Sequence, residues 1–156
     1  MVSKLDVRIV ELQPMRMASV QGFGQCPEEL SQKKLLAWAR SHNLLGKSSL
    51  PRFFGFNNPD PTPASPNYGY EFWMAVGEDV KAEGEIQIKS FTGGLYAVMR
   101  CKNPMTCPDA WKQLVQWLET SPYHKGDHQW LEEHLSFIDL PVEEILLDLY
   151  LPIQKA

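Results

Sequence analysis

No run of Lys and Arg is longer than the pair Lys33 and Lys34, so the electrostatic footprint of a nucleic-acid-binding protein is missing. No apolar run approaches the ~20 residues of a membrane-spanning helix, and Met1 to Lys4 leads into an alternating segment without an apolar signal core. These absences imply a cytoplasmic address, with neither nucleic acid nor membrane as a direct partner. Cysteine is scarce: three thiols without a secretion signal read as reduced cysteines rather than a disulfide framework. Cys101 and Cys107 stand six apart and His124 and His128 four apart, but no Cys-x-x-Cys or His-Glu-x-x-His spacing exists. No metal or other cofactor is therefore expected. Gly22, Phe23 and Gly24 lack the third glycine and the parallel βαβ setting of a phosphate-binding turn and read as a plain turn. No Ser/His/Asp or Cys/His order identifies a catalytic site by spacing.

What is present fits one soluble domain. The 156 residues carry a formal net charge of −4, with 44% hydrophobic and 22% charged residues, a composition that is neither disordered nor fibrous. A chain of this length buries ~68–70% of its unfolded surface, enough for one core. Five Trp, five Tyr and seven Phe supply more flat aromatic surface than such a core needs, and part of it is expected to line a cavity.

Hydrophobic periodicity gives the order of elements. Val7 to Leu12 alternates and Met15 to Val20 is apolar-rich, with Pro14 between them, as in a strand interrupted by proline. Pro27, Glu28 and Glu29 start a helix whose apolar side is Leu30, Leu35, Trp38 and Ala39, with Glu29, Lys33 and Arg40 opposite. A proline-rich loop from Asn57 to Asn67 separates strands over Arg52 to Phe56 and Tyr70 to Val76. Ile86 to Phe91 and Leu95 to Cys101, around Thr92, Gly93 and Gly94, read as a hairpin. A second helix begins at Pro108 and Asp109 with Trp111, Leu114, Val115 and Leu118 at i, i+3, i+4, i+7. The last strand, Ile145 to Ile153, is the most apolar segment.

The halves resemble each other. A shift of 79 residues carries Ala18 to Ala97, Leu35 to Leu114 and Trp38 to Trp117, and a shift of 77 carries Glu71 to Asp148. The expected fold is therefore α+β in a single domain, residues 1–156. A strand-helix-strand-strand unit is duplicated over about 5–80 and 85–154, giving a curved antiparallel sheet with two main helices on one face.

Two strands carry acids. Glu71 shares a face with Trp73, and Asp148 with Tyr150, in otherwise apolar strands where a charge is costly unless compensated. A bound organic cation, drawn by carboxylate and ring together, is one compensation. Solvation, or pairing with Lys89 or Arg100, is the other. Trp130, Glu132 and His134 form a further candidate group at a spacing that suits a strand face, while Leu131 and Leu135 suit a short helix. Phe54, in the strand after the first helix, and Tyr96 complete the candidate ligand-binding set.

The segments Asn58 to Ala64 (NPDPTPA), followed by Tyr70 and Glu71, and Thr92 to Val98 (TGGLYAV) resemble the GyrI-like small-molecule-binding family, the effector-binding domain of multidrug-responsive regulators, from Val7 to Ile153. The resemblance implies the duplicated fold, a pocket between the repeats, and recognition of bulky hydrophobic, often cationic aromatic compounds. It further implies a Glu-x-Tyr before the final strand. Glu132 matches its Glu, and His134 replaces its Tyr. The acid of the final strand, often Glu in the family, is Asp148 here, so a cation must approach more closely or through water. Regulators of the family carry a helix-turn-helix before this domain; only six residues precede the first strand here, so a stand-alone member is expected. Two further family roles are implied as alternatives. One is hydrolysis of cyclopropane-bearing DNA-alkylating natural products, in which Glu132 or Asp148 would orient water for a ~10²–10⁴-fold gain. The other is a gyrase-modulating interaction with a protein partner.

Overall fold

In the computed structural model the chain divides into two compact units, one of Met15–Phe91 and one of Met1–Pro14 with Thr92–Ala156. Residues 6–46, 51–136 and 140–156 are described; Met1 to Lys4, read above as lacking a signal core, lie outside them. The elements in chain order are β1 (Val7–Leu12), β2 (Met15–Gly24), α1 (Pro27–Ser41), β3 (Phe53–Asn57), β4 (Tyr68–Ala75), β5 (Gln87–Phe91), β6 (Gly94–Lys102), α2 (Cys107–Glu119), β7 (Tyr123–Lys125), β8 (Leu131–Ser136) and β9 (Leu146–Lys155). The fold is α+β, and the strand pairings within each unit are antiparallel. Among the described residues no helix is long and apolar enough to cross a membrane.

In the first unit the strands lie in the order β3-β4-β2-β5. The face carrying Val20, Gly22, Tyr70 and Phe72 meets α1, and a Cβ at Gly22 would collide with the Pro27 carbonyl oxygen and the Ser31 amide nitrogen. This close approach explains two departures from the sequence reading. Gly22, Phe23 and Gly24 are not a turn: they continue β2 opposite Tyr70, Gly69 and Tyr68, with glycine letting helix and strand touch. The buried side of α1 is Pro27, Ser31, Leu35, Leu36 and Ala39, while Leu30 is exposed. Ser31 tolerates burial because its hydroxyl donates to the Glu28 carbonyl at 3.0 Å.

The second unit has the order β1-β6-β9-β8, with β7 also pairing to β9. Helix α2 covers a core of Ala97, Met99, Cys101, Leu147, Leu149 and Leu151 through Leu114, whereas Val115 is exposed. Strand β9 has paired neighbours on both edges and is buried on both faces from Leu147 to Ile153, which is why it reads as a nearly continuous apolar run. Strand β4, between β3 and β2, is its counterpart.

The strand-helix-strand-strand order thus occurs twice, as β2-α1-β3-β4 and as β6-α2-β8-β9, the second with the short β7 inserted after its helix. The registers agree with the offsets in the sequence. Gln21 stands opposite Glu71 and Arg100 opposite Asp148, so the 79-residue shift relates the first partners and the 77-residue shift the second. The hairpin over 86–101 is a correction, because β5 pairs with β2 while β6 pairs with β1 and β9. Gly93, at φ +78°, serves a close backbone crossing instead: a Cβ there would collide with the Leu12 carbonyl oxygen. Pro14 likewise separates two strands that belong to different units.

Candidate functional site

Strand β4 points Glu71 and Trp73 away from α1. Both are buried, and cross-strand neighbours place Phe54 beside Trp73 and Phe56 beside Glu71. Phe56 meets Trp73 edge-on at 5.0 Å between ring centroids, Phe91 lies 5.7 Å from Trp73, and the Arg52 guanidinium sits 5.0 Å over the Phe54 ring. The Glu71 carboxylate accepts four hydrogen bonds: from Lys89 Nζ at 2.7 Å, Trp73 Nε1 at 2.5 Å, Ser19 Oγ at 2.9 Å and Asn58 Nδ2 at 3.1 Å. Burial raises its pKa, but Lys89, Trp73, Ser19 and Asn58 together outweigh burial and hold it below the ordinary value. Glu71 is therefore ionised in place, and its compensating cation is Lys89. A polar cleft of about 290 Å³ opens beside it, lined by Ser19, Gln21, Glu85, Gln87 and Lys89.

Strand β9 repeats the arrangement with different donors. Asp148, 3% exposed, accepts from Arg8 Nη2 at 2.8 Å and from Arg100 Nε at 3.0 Å and Nη2 at 3.3 Å. The bond to Asp148, and then its charge, raise the pKa of Arg100, and Glu133 adds to the shift. Tyr150, on the same face, donates to Glu133 Oε1 at 2.7 Å and meets Tyr96 edge-on at 5.4 Å. Tyr96 is fully buried, donates to the Gln129 carbonyl at 2.5 Å, and lies 4.8 Å from the His128 ring. The register that sets Glu133 opposite Asp148 and Leu131 opposite Tyr150 gathers Tyr96, Tyr150, Asp148 and Glu133 on the side of the sheet away from α2.

Glu132, His134 and Trp130 lie on the other side. The segment is a strand, not a short helix, and it sets Glu132 opposite Leu149 and His134 opposite Leu147, both in the core beneath α2. Trp111 of α2 donates to Glu132 at 3.3 Å and lies 5.4 Å from the Trp130 ring, and Lys125 Nζ sits 5.6 Å from the same Trp130 ring. Burial pushes the His134 imidazole down to about 3, so it is neutral at physiological pH. The structure thus brings Asp148, Tyr150 and Tyr96 together, and Glu71, Trp73 and Phe54 together, but separates Glu132, His134 and Trp130 from Asp148. Glu133 and Arg8 were missed. In β8 Glu133 alternates with Leu131 and Leu135 while Glu132, His134 and Ser136 are all polar, so alternation marks Glu132 and His134 as the polar face and hides Glu133 among leucines. Arg8 meets Asp148 across 140 positions of sequence, where no local signal reaches.

Residues 5–154 match the GyrI-like small molecule binding domain family, while no curated protein matches. Among solved structures, the EcmrR C-terminal domain is 19% identical with a TM-score of 0.72, over 97% of this chain and 99% of that one. A hydrolase from Listeria innocua is 16% identical with a TM-score of 0.70, over 98% and 94%. SAV2435 bound to tetraphenylphosphonium is 12% identical with a TM-score of 0.57, over 96% and 94%. The chain spans 58% of the EcmrR chain seen in an EcmrR-DNA complex, to which it is 18% identical with a TM-score of 0.72 over 97% of its own length. At these identities the likeness is one of fold.

Proposed function

The chain belongs to the GyrI-like small molecule binding domain family, and from that premise we propose that it binds bulky, hydrophobic aromatic molecules, cationic ones by preference. The observation that carries this reading is the buried set of Tyr96, Tyr150 and Glu133, two rings edge-to-face with a carboxylate bonded to one phenol. Rings present their negative faces to a cation, for ~0.5–2 kcal/mol each, and a carboxylate adds directional charge. Glu71 pairs with Lys89 and Asp148 with Arg8 and Arg100, so a cationic ligand at either acid would have to displace a lysine or an arginine. Arg100 also acts on Glu133, so the rings supply most of the affinity and the charge a modest selectivity. Tetraphenylphosphonium, found on SAV2435, is a lipophilic cation of the proposed class.

The test is titration calorimetry of tetraphenylphosphonium against triphenylphosphine oxide, a neutral analogue, at low and moderate salt, with mass spectrometry of the recovered compounds. Tighter binding of the cation, with both compounds recovered unchanged, supports the reading. Equal affinities would remove its electrostatic half, and a changed compound would make the protein an enzyme.

A further inference from the structure

Cys101, near the end of β6, and Cys107, the first residue of α2, face the core beneath α2 and take no part in the ligand-binding reading. Their sulfurs are 3.1 Å apart, the Cys107 thiol donating to Cys101. The chain between them is folded back tightly: Asn103 adopts φ +73°, and Pro104–Thr106 form a single 3₁₀ turn. That turn is pinned, since the Asn103 amide donates to the Ile145 carbonyl at 2.8 Å and the Asn103 side chain accepts from the Met105 amide at 3.0 Å. Thr106 Oγ1 lies 3.0 Å from the Cys101 sulfur. Both cysteines are largely buried, but Cys101 forms part of the wall of a cleft of about 730 Å³, with Arg8, Arg100, Lys102, Asp6 and Asp109. Cys107 does not. Of the two cysteines, Cys101 is therefore the one that borders the cleft, and the Cys107 sulfur lies 3.1 Å from its own.

We infer that Cys101 and Cys107 are a peroxide-responsive dithiol, in which a small hydroperoxide oxidises Cys101 and Cys107 resolves the product to a disulfide. In the first step Cys101 Sγ attacks the terminal oxygen of the hydroperoxide. The S–O bond forms, the O–O bond breaks, and the departing alkoxide or hydroxide takes the thiol proton, leaving a sulfenic acid and an alcohol or water. In the second step Cys107 Sγ attacks that sulfur. The S–S bond forms, the S–O bond breaks, and the expelled hydroxide takes the Cys107 proton and leaves as water. Two thiols lose two electrons and the peroxide gains them. Bond formation requires the sulfurs to close from 3.1 Å to ~2.05 Å, a movement of about one ångström for two side chains already in contact. The order of events follows from the surroundings: burial, then Cys101 and Glu132, push the Cys107 thiol up, so it stays a protonated donor while Cys101 faces the cleft. The same burial makes the second step the slower one. The product ties the end of β6 to the start of α2.

The test uses Cys26→Ser protein, which removes the exposed third cysteine, treated with hydrogen peroxide, unfolded, alkylated and weighed intact, with and without dithiothreitol. The expected result is paired loss of both alkylation sites, their recovery on reduction, and a peptide linking Cys101 to Cys107 within one chain. In the Cys107→Ser background the reaction should stop at a sulfenic acid on Cys101, trapped by dimedone. The inference is overturned if both thiols still alkylate after peroxide, if the link joins two chains, or if Cys107 is oxidised as fast in Cys101→Ser protein as in the parent. Should a serine variant fail to fold, the peptide map of the Cys26→Ser protein decides alone.

Discussion

Glu71 and Asp148 occupy the same register position in the central strands of the two units, yet they are neutralised in different ways. Opposite Glu71 stands Gln21, whose carboxamide turns to the Asn58 carbonyl, so the cation comes from Lys89 on β5, and three neutral donors complete the shell. Opposite Asp148 stands Arg100 itself, with Arg8 added from β1. A duplicated fold thus keeps a buried acid where burial on both faces makes it costly, while the means of compensating it drifts between one cation with neutral help and two cations. The contrast also shows why an acid in an apolar strand is weak evidence for a cationic ligand: in both units the chain supplies the cation.

The largest break in this comparison is Arg8→Met with Arg100→Met, which strips Asp148 of both charged partners. Because the guanidiniums are about half exposed and Asp148 is not, urea denaturation should show a loss at the lower end of ~3–5 kcal/mol, and either single variant should cost clearly less than half of that. Lys89→Met comes next at ~1–3 kcal/mol, since Ser19, Asn58 and Trp73 continue to donate to Glu71. This loss should depend on pH with a definite sign. The folded pKa of Glu71 lies below the ordinary 4.5, so its contribution is present above that value and fades as pH falls through the folded pKa. The difference between parent and Lys89→Met should shrink as the solution is acidified below 4.5; a difference independent of pH down to acid unfolding would mean that the ion pair is not its source. The smallest effect sharpens the comparison. Gln21→Arg in the Lys89→Met background transfers the Asp148 solution to Glu71 and should restore ~0.5–1 kcal/mol, the scale of a partly exposed pair.

The sequence disclosed both helices, most of the strands, the two offsets and both buried acids, because periodicity and an apolar run around a charge are local signals, but it did not mark the short β7 and left 130–135 open between strand and helix. It misplaced what depends on distant chain. Gly93 and Gly94 carry the composition of a hairpin turn, but Gly93 is required by a backbone crossing at Leu12, and no local pattern separates these two uses of glycine. Lys89 and Arg100 were legible as partners because their strands could be seen to carry cations among apolar residues. Arg8 was not, lying in a strand whose partner was unknown. Glu132 was singled out by its spacing with Trp130 and His134 and by family resemblance, and Glu133 was not considered; in the ladder between β8 and β9 it is Glu133 that lies on the Tyr150 side and accepts from its hydroxyl.

The central claim, that the ligand is an aromatic cation met by Tyr150, Tyr96 and Glu133, is tested most directly by titrating tetraphenylphosphonium and triphenylphosphine oxide into the parent and into Glu133→Gln. The amide keeps the shape and an acceptor for Tyr150 while removing the charge, so the cation should bind roughly five- to tenfold more weakly, ~1–1.4 kcal/mol, with the neutral compound unchanged. Equal weakening of both compounds would make Glu133 a structural group, and undiminished binding of the cation by a folded Glu133→Gln protein would place the charge contact elsewhere.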